Sequence, residues 1–108
     1  MKRGEVWWVE FDPSIGTEIK KTRPAIIISN DSANRHLSRV VVVPVTSNIE
    51  RIYPSEFLVS INGSQNKGMS DQIMAADKAR LKSRVGILSQ KDMLAMEDAI
   101  KLHLSFSK

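Results

Sequence analysis

Lys20-Lys21-Thr22-Arg23-Pro24-Ala25-Ile26-Ile27-Ile28-Ser29 is the stretch from which the fold can be read. Ala25 to Ile28 is a short apolar run with three consecutive isoleucines, and β-branched side chains of this kind suit a strand packed on both faces. Pro24 has no N–H to give to a ladder, so it opens the strand rather than standing inside it. It also biases Arg23 toward extended backbone. The guanidinium of Arg23 therefore leaves from the edge of a rigid sheet, where a functional charge is best positioned.

A second β-branched run, Val40 to Val43, is interrupted by Pro44 and finished by Val45-Thr46-Ser47. Pro44 inside such a run predicts an edge strand or a bulge. Two hydroxyls then stand where the strand gives out. If the two runs are antiparallel neighbours, the end of the second lies beside the start of the first, and Arg23 and Thr46 face one pocket.

Working outward, Glu5 to Phe11 carries Val6, Trp7, Trp8, Val9 and Phe11 and reads as a strand buried on much of both faces. Trp7 and Trp8 point in opposite directions, so at least one belongs to the core. Asp12-Pro13-Ser14-Ile15-Gly16 ends that strand with turn residues. The connection from Asp12 to Thr22 is longer than a hairpin needs, and with Gly16, Lys20 and Lys21 it reads as a basic flap. Asn30-Asp31-Ser32 stops the isoleucine strand and starts a helical turn through Leu37. Glu56 to Ile61 alternates, with Phe57, Val59 and Ile61 on one side, and Asn62-Gly63 is a strong hairpin signal. Met69 to Ala76 and Arg84 to Leu88 read as two more strands.

The last element is a helix. Ser89 and Asp92 have capping-box spacing, Leu88 and Met93 are placed as a hydrophobic staple, and Met93, Met96, Ile100 and Leu104 make one apolar stripe. These methionines read as core packing. The whole pattern predicts a mainly β fold, a small antiparallel barrel with a C-terminal α-helix and short helical turns, in a single domain spanning residues 1–108.

Composition narrows the function. Hydrophobic residues make up 42% and charged residues 26% of the chain, an ordinary globular balance. With no cysteine among its 108 residues, disulfides, zinc–thiolate sites and thiol nucleophiles are excluded, and a reducing, cytoplasmic location is expected. No apolar run approaches membrane-spanning length. Sixteen Lys and Arg against twelve Asp and Glu give a net charge of +4, a tilt toward polyanions.

Searches for catalytic groups return mostly negatives. The two histidines, His36 and His103, have no spacing that brings them together. No His-x-x-x-His, paired acidic motif or glycine-rich phosphate loop occurs, so neither a metal nor a cofactor is expected. What remains is Arg23, Thr46, Ser47 and the polar cluster Ser70-Asp71-Gln72. That cluster lies inside an otherwise strand-like segment, where it either faces solvent or is held for recognition.

At these residues the chain resembles the MazF/PemK toxins, the mRNA interferases of toxin–antitoxin pairs. The resemblance begins with Arg3-Gly4-Glu5-Val6-Trp7-Trp8-Val9-Glu10-Phe11-Asp12-Pro13 and continues in Gly16-Thr17-Glu18. It is tightest in Thr22-Arg23-Pro24-Ala25-Ile26-Ile27-Ile28-Ser29, then in Pro44-Val45-Thr46-Ser47 and Ser70-Asp71-Gln72. It implies an SH3-like barrel of the CcdB/MazF type, working as a homodimer and cleaving single-stranded RNA at short sequences without a metal. The catalytic pair it implies is Arg23 and Thr46. In a reaction of that kind the ribose 2′-hydroxyl attacks its own phosphate, and a planar guanidinium can meet two of the phosphoryl oxygens on which charge builds. A guanidinium keeps its proton near neutrality, which makes Arg23 a stabiliser rather than a base and leaves Thr46 or a water to assist the proton.

Gln72 and Asp71 are then candidates for reading unstacked bases, with Ser70 and Ser47 beside them, and Lys20, Lys21 and Arg84 for phosphate contacts. The family often carries a basic residue soon after the Asp-Gln pair, whereas this chain has Ile73-Met74-Ala75-Ala76. The implied partner is an antitoxin with an acidic tail that competes with RNA for the basic cleft. Three alternatives remain: a purely structural dimerisation domain, for which Ser70-Asp71-Gln72 and Arg23 would have no common purpose, a nucleic-acid-binding module without catalysis, and a gyrase poison on the same barrel. The last acts through a Trp near the C-terminus, where this chain has Leu104-Ser105-Phe106-Ser107-Lys108.

Overall fold

The computed structural model describes residues 1–107, so Lys108 of the expected domain lies outside the described residues. The isoleucine run is part of β2 (Thr22–Ile27), flanked by β1 (Glu5–Glu10) and β3 (Arg39–Thr46). The other strands are β4 (Glu56–Ile61), β5 (Ser64–Met69), β6 (Met74–Asp77) and β7 (Leu81–Ile87). They form one antiparallel sheet in the order β4-β5-β3-β2-β1-β7, with β6 pairing the part of β3 that β5 leaves free. Two helices complete the chain, α1 (Asp31–His36) and α2 (Gln90–Leu104).

Both prolines of the central strands lie where a ladder stops. Ile28 N–H donates to the Val41 carbonyl, and Ile26 stands opposite Val43. Because N–H groups alternate in direction along a strand, the even-numbered residues of β2 point theirs toward β3. Pro24 would be the next donor on that side, and the β2–β3 ladder ends before it, at Ala25 opposite Pro44. By the same alternation the nitrogen of Pro44 faces away from β2. There the partner of β3 changes from β6, whose pairing ends with Met74 opposite Val42, to β5, whose pairing begins with Gly68 opposite Val45. Pro44 is therefore neither on an edge nor at a bulge, contrary to the expectation from its sequence context. It is buried in a central strand, at a gap in the ladder where no donor is missed.

The sheet curls into a half-barrel with a core on each face. On one face Val6, Ile26, Val43, Val45, Phe57, Val59 and Ile61 pack beneath Met96 and Ala99 of α2. On the other, Val9, Phe11, Ala25, Ile27, Val40 and Val42 close with Ala76 and Leu81. The curl brings the β4–β5 turn to β7, where Asn62 Nδ2 donates to the Val85 carbonyl at 3.1 Å. That turn is the expected hairpin: Ile61 pairs with Ser64, and Asn62 and Gly63 both take positive φ, 50° and 83°.

Ser70-Asp71-Gln72 is not inside a strand. The segment expected as one strand from Met69 to Ala76 divides into the end of β5, a 3-10 turn over Ser70–Gln72, and β6. β7 also starts earlier than Arg84, at Leu81, leaving Leu88 as a buried connector. In α2, Ser89 accepts from the Asp92 amide at 3.1 Å, which is half of the expected capping box. The other half is diverted, since the Asp92 carboxylate accepts from the Ser60 amide at 2.9 Å and ties the helix to β4. Met96 is fully buried, as the apolar stripe predicts, whereas Leu104 at its end is exposed. No helix among the described residues is long and apolar enough to cross a membrane.

Two positions give stability tests. The ring of Phe57 occupies the space a Cβ at Gly68 would need. Gly68→Ala is expected to destabilise the fold by about 1–3 kcal/mol through overpacking, read as a lowered midpoint of denaturant unfolding. Ser70 is 1% exposed and its hydroxyl has no hydrogen-bond partner. Ser70→Ala removes a buried unpaired polar group and is expected to leave stability unchanged or raise it by roughly 1 kcal/mol; a loss would mean that the hydroxyl is satisfied in solution.

Candidate functional site

Continuing the β2–β3 register two residues beyond Ala25 and Pro44 sets Arg23 opposite Thr46. On the far side of β3, Thr46 pairs directly with Lys67 of β5. Three neighbouring strands thus present Arg23, Thr46 and Lys67 in a row, and all three line one shallow depression of about 230 Å³ with Ile19, Asn48 and Met69. The depression opens where Pro24 ends the ladder.

Each member of the row is oriented by a backbone group. Arg23 is half-buried, and its Nε donates to the Lys20 carbonyl at 3.1 Å. The four N–H donors of its two terminal nitrogens remain for a planar anion. Thr46 Oγ1 accepts from the Asn48 amide at 3.3 Å, which leaves its own O–H free to donate. Lys67 is 9% exposed and forms an ion pair with Glu56 Oε1 at 3.0 Å, while its Nζ also donates to the Arg51 carbonyl at 2.8 Å.

The remaining expected residues are dispersed. Ser47 is exposed at the end of β3 and does not line the depression. Lys20 and Lys21 are exposed on the β1–β2 connection beside Arg23. The Lys21 amide donates to Asp12 Oδ1 at 3.0 Å, and its carbonyl accepts from Phe11. Ser70 is buried and presents no atom to a substrate. Asp71 and Gln72 line a neighbouring hollow of about 310 Å³ with Glu18, Met74 and Arg80, separated from the Arg23 depression by Ile19, which lines both. The side chain of Gln72 is already engaged, accepting from the Ile19 amide at 3.2 Å and donating to the Thr17 carbonyl at 3.3 Å. It tethers the β1–β2 connection.

Arg84 is placed apart. It sits on β7, two strands from Arg23, and its Nε donates to Glu5 Oε2 at 3.1 Å. Burial pushes the Glu5 carboxyl up, but hydrogen bonds from the Trp7 indole, the Lys2 amide and Arg84, with the N-terminal ammonium charge, outweigh it and hold its pKa below the ordinary range. Arg84 is thus ion-paired to Glu5 while about half of its side chain stays exposed, 49%. His36 bonds the Ser32 carbonyl and His103 bonds Ser55, so the two histidines do not meet. Trp7 packs against the core and Trp8 is 41% exposed.

Lys67 and Asn48 are the site residues that the sequence reading missed. The Asn62-Gly63 turn carried the signal for Lys67. A two-residue hairpin turn sets Glu56 opposite Met69, and so diagonal to Lys67 on the same face, an opposite-charge pair. No cation stands in Ile73–Ala76, but Arg80 also lines the Asp71–Gln72 hollow and donates to the Glu10 and Asp12 carbonyls at 2.9 Å each. Among the described residues, no group of three or more His, Cys, Asp or Glu side chains is arranged to hold a metal ion.

Comparison with known proteins gives the family. Residues 2–104 match the model of the family described as PemK-like, MazF-like toxin of type II toxin–antitoxin system. The chain is 38% identical to the endoribonuclease MazF9 of Mycobacterium tuberculosis, over 96% of each chain. It is 34% identical to the endoribonuclease MazF of Staphylococcus saprophyticus, over 96% of this chain and 91% of that one. Its fold is that of MazF from Deinococcus radiodurans (TM-score 0.87, 21% identity, 98% of this chain and 97% of that one). It is equally that of a mycobacterial endoribonuclease solved with its cognate antitoxin (TM-score 0.84, 22% identity, 100% and 98%). On the match across residues 2–104, the chain belongs to the PemK-like, MazF-like toxins of type II toxin–antitoxin systems.

Proposed function

We propose that this chain is the endoribonuclease toxin of a type II toxin–antitoxin pair, cutting single-stranded RNA at short sequences without a metal. The observation that carries the reading is the alignment of Arg23 and Thr46 across β2 and β3 on one open depression, with Lys67 continuing the row. Family membership supports the same chemistry.

In the proposed reaction the RNA phosphate lies against Arg23, whose free nitrogens bridge two phosphoryl oxygens. The ribose 2′-hydroxyl attacks its own phosphorus, the bond to the departing 5′-oxygen breaks, and a cyclic phosphate and a 5′-hydroxyl result. Negative charge grows on the phosphoryl oxygens during the attack, which is where a pre-oriented guanidinium stabilises most. Thr46 donates to an oxygen of the same phosphate, the 2′-hydroxyl proton leaves to water or by way of that hydroxyl, and water returns a proton to the departing 5′-oxygen. Lys20 and Lys21 extend the positive surface toward flanking phosphates. Asp71 and Ser47 remain candidates for base contacts, and Gln72 becomes one wherever the β1–β2 connection releases it.

The partners fit the same surface. Residues 1–108 are read as one toxin domain that works as a homodimer in the cytoplasm, and a cognate antitoxin with an acidic tail would compete with RNA for Arg23 and the loop lysines.

The test is cleavage of a long, mixed-sequence RNA in excess EDTA with the fragment ends mapped. Cuts at one recurrent short motif, with cyclic phosphate and 5′-hydroxyl ends, are expected. Arg23→Ala and Thr46→Ala are each expected to slow cleavage by roughly 10²–10³-fold, as for loss of a transition-state donor. RNA that is bound but left intact would overturn the nuclease in favour of a binding module. Arg23→Lys should be slower but keep the wild-type pH–rate profile, because Arg23 is assigned a charge and not a proton transfer; a basic limb lost in that variant would remove the assignment.

A further inference from the structure

Beside the Arg23 depression stands the ring of Tyr53, 53% exposed and firmly mounted for a loop residue. Its amide donates to Glu56 Oε1 at 2.9 Å, and its carbonyl accepts from the Glu56 amide at 2.9 Å. The same Oε1 accepts from Lys67, which also holds the Arg51 carbonyl. One carboxylate and one ammonium thus fix the backbone of the β3–β4 connection on both sides of residue 52. The ring itself has cations near it, with the Arg51 guanidinium carbon 5.9 Å and Lys67 Nζ 5.7 Å from its centroid.

Around Tyr53 is a hollow of about 370 Å³ lined also by Asn48, Glu50, Arg51 and Lys67. It shares Asn48 and Lys67 with the depression that holds Arg23 and Thr46, so the two are adjoining compartments of one surface. The ring is the only large flat face in that lining. An aromatic face with cations beside it suits a nucleotide, which brings a π-system and a phosphate together. An acidic peptide would use the cations alone and leave the ring face unfilled.

We propose that this hollow is a nucleotide subsite. The base next to the scissile phosphate stacks on Tyr53, and its phosphate meets Lys67 and Arg51. The inference rests on the ribonuclease reading and adds to it a specific base-stacking residue. Glu56 is a positioning residue here, acting through Tyr53 and Lys67.

The experiment measures affinity for an RNA oligomer containing the mapped cut sequence, with a 2′-deoxy sugar at the cut nucleotide so that it stays intact. A companion series carries one abasic nucleotide at each position. Tyr53→Ala is expected to weaken the intact oligomer about tenfold, in line with the stacking of a single base. Tyr53→Phe should bind like wild type. One abasic position beside the cut should weaken wild type by the same factor and Tyr53→Ala not at all, a pattern that a general loosening of the loop would not produce. If every abasic position weakens both proteins equally, or if Tyr53→Ala binds as tightly as wild type while wild type cleaves RNA, the subsite is wrong and the nuclease stands. If wild type neither cuts nor binds RNA, the ribonuclease reading fails and takes the subsite with it. If Tyr53→Ala loses an acidic peptide but not RNA, the hollow belongs to a protein partner and the proposal is overturned.

Discussion

Pro24 has no hydrogen to give to Val45, and the arrangement of the site follows from that missing donor. Up to Ala25 and Pro44 the two central strands are zipped together. One residue further the ladder would need the N–H that proline lacks, so β2 stays paired to β1 alone, with Trp8 opposite Pro24 and Val9 opposite Arg23. Arg23 and Thr46 are then carried to facing positions by a rigid sheet and yet are not closed over by it. A continuous ladder would draw the strands together at this point. A loop in the same place would hold the guanidinium far less precisely. The break is also placed to do little damage, because Ile26 and Val43 just inside it are fully buried and hold the register.

The Lys67–Glu56 pair works differently. A buried ion pair is a weak source of stability, since the desolvation of two charges offsets most of their attraction, whereas removing one partner alone costs roughly 3–5 kcal/mol. What the pair contributes here is direction. Through Glu56 Oε1 and Lys67 Nζ it fixes the amide of Tyr53 and the carbonyl of Arg51, and so fixes the connection that leaves Thr46. The ammonium also keeps a positive charge beside the depression at little entropic cost, because the side chain is already ordered. Free surface lysines such as Lys20 would have to lose that freedom on binding.

Much of this could be read from the chain because it is written in local chemistry. The isoleucine run, the Asn62-Gly63 turn and the Ser89 cap each specify their element without help from distant residues. The pairing of β2 with β3 places Arg23 and Thr46 together, and only the conditional form of that statement was open to sequence. What could not be read depends on contacts across the fold. Ser70-Asp71-Gln72 looked like an interrupted strand because the 3-10 turn joins β5 to β6 where their common partner β3 has its gap at Pro44, far away in sequence. Gln72 looked free because its partners, the Thr17 carbonyl and the Ile19 amide, lie in a connection with no pattern of its own. The ion pair of Arg84 could not be read because its partner Glu5 lies at the other end of the chain. Lys67 was hidden by its type, since a lysine is seldom buried unless something pairs with it.

The depression at Arg23 has a neighbour on each side. Ile19 joins it to the hollow of Asp71, Gln72 and Arg80, while Asn48 and Lys67 join it to the hollow of Tyr53. In the proposed ribonuclease, a strand of RNA whose scissile phosphate meets Arg23 therefore has a distinct surface for the nucleotides on either side. The two surfaces differ in kind. One is a fixed aromatic face held by an ion pair, while the other is partly made by the β1–β2 connection itself, through Gln72. Stacking on Tyr53 tolerates any base, so it anchors without selecting. Selection by hydrogen bonds must then come mainly from the side where Gln72 and Asp71 stand, and it is coupled to the position of the connection that Gln72 holds. The same amide cannot tether Ile19 and read a base at once, so in this reading the identity of the base and the opening of the β1–β2 connection are a single equilibrium.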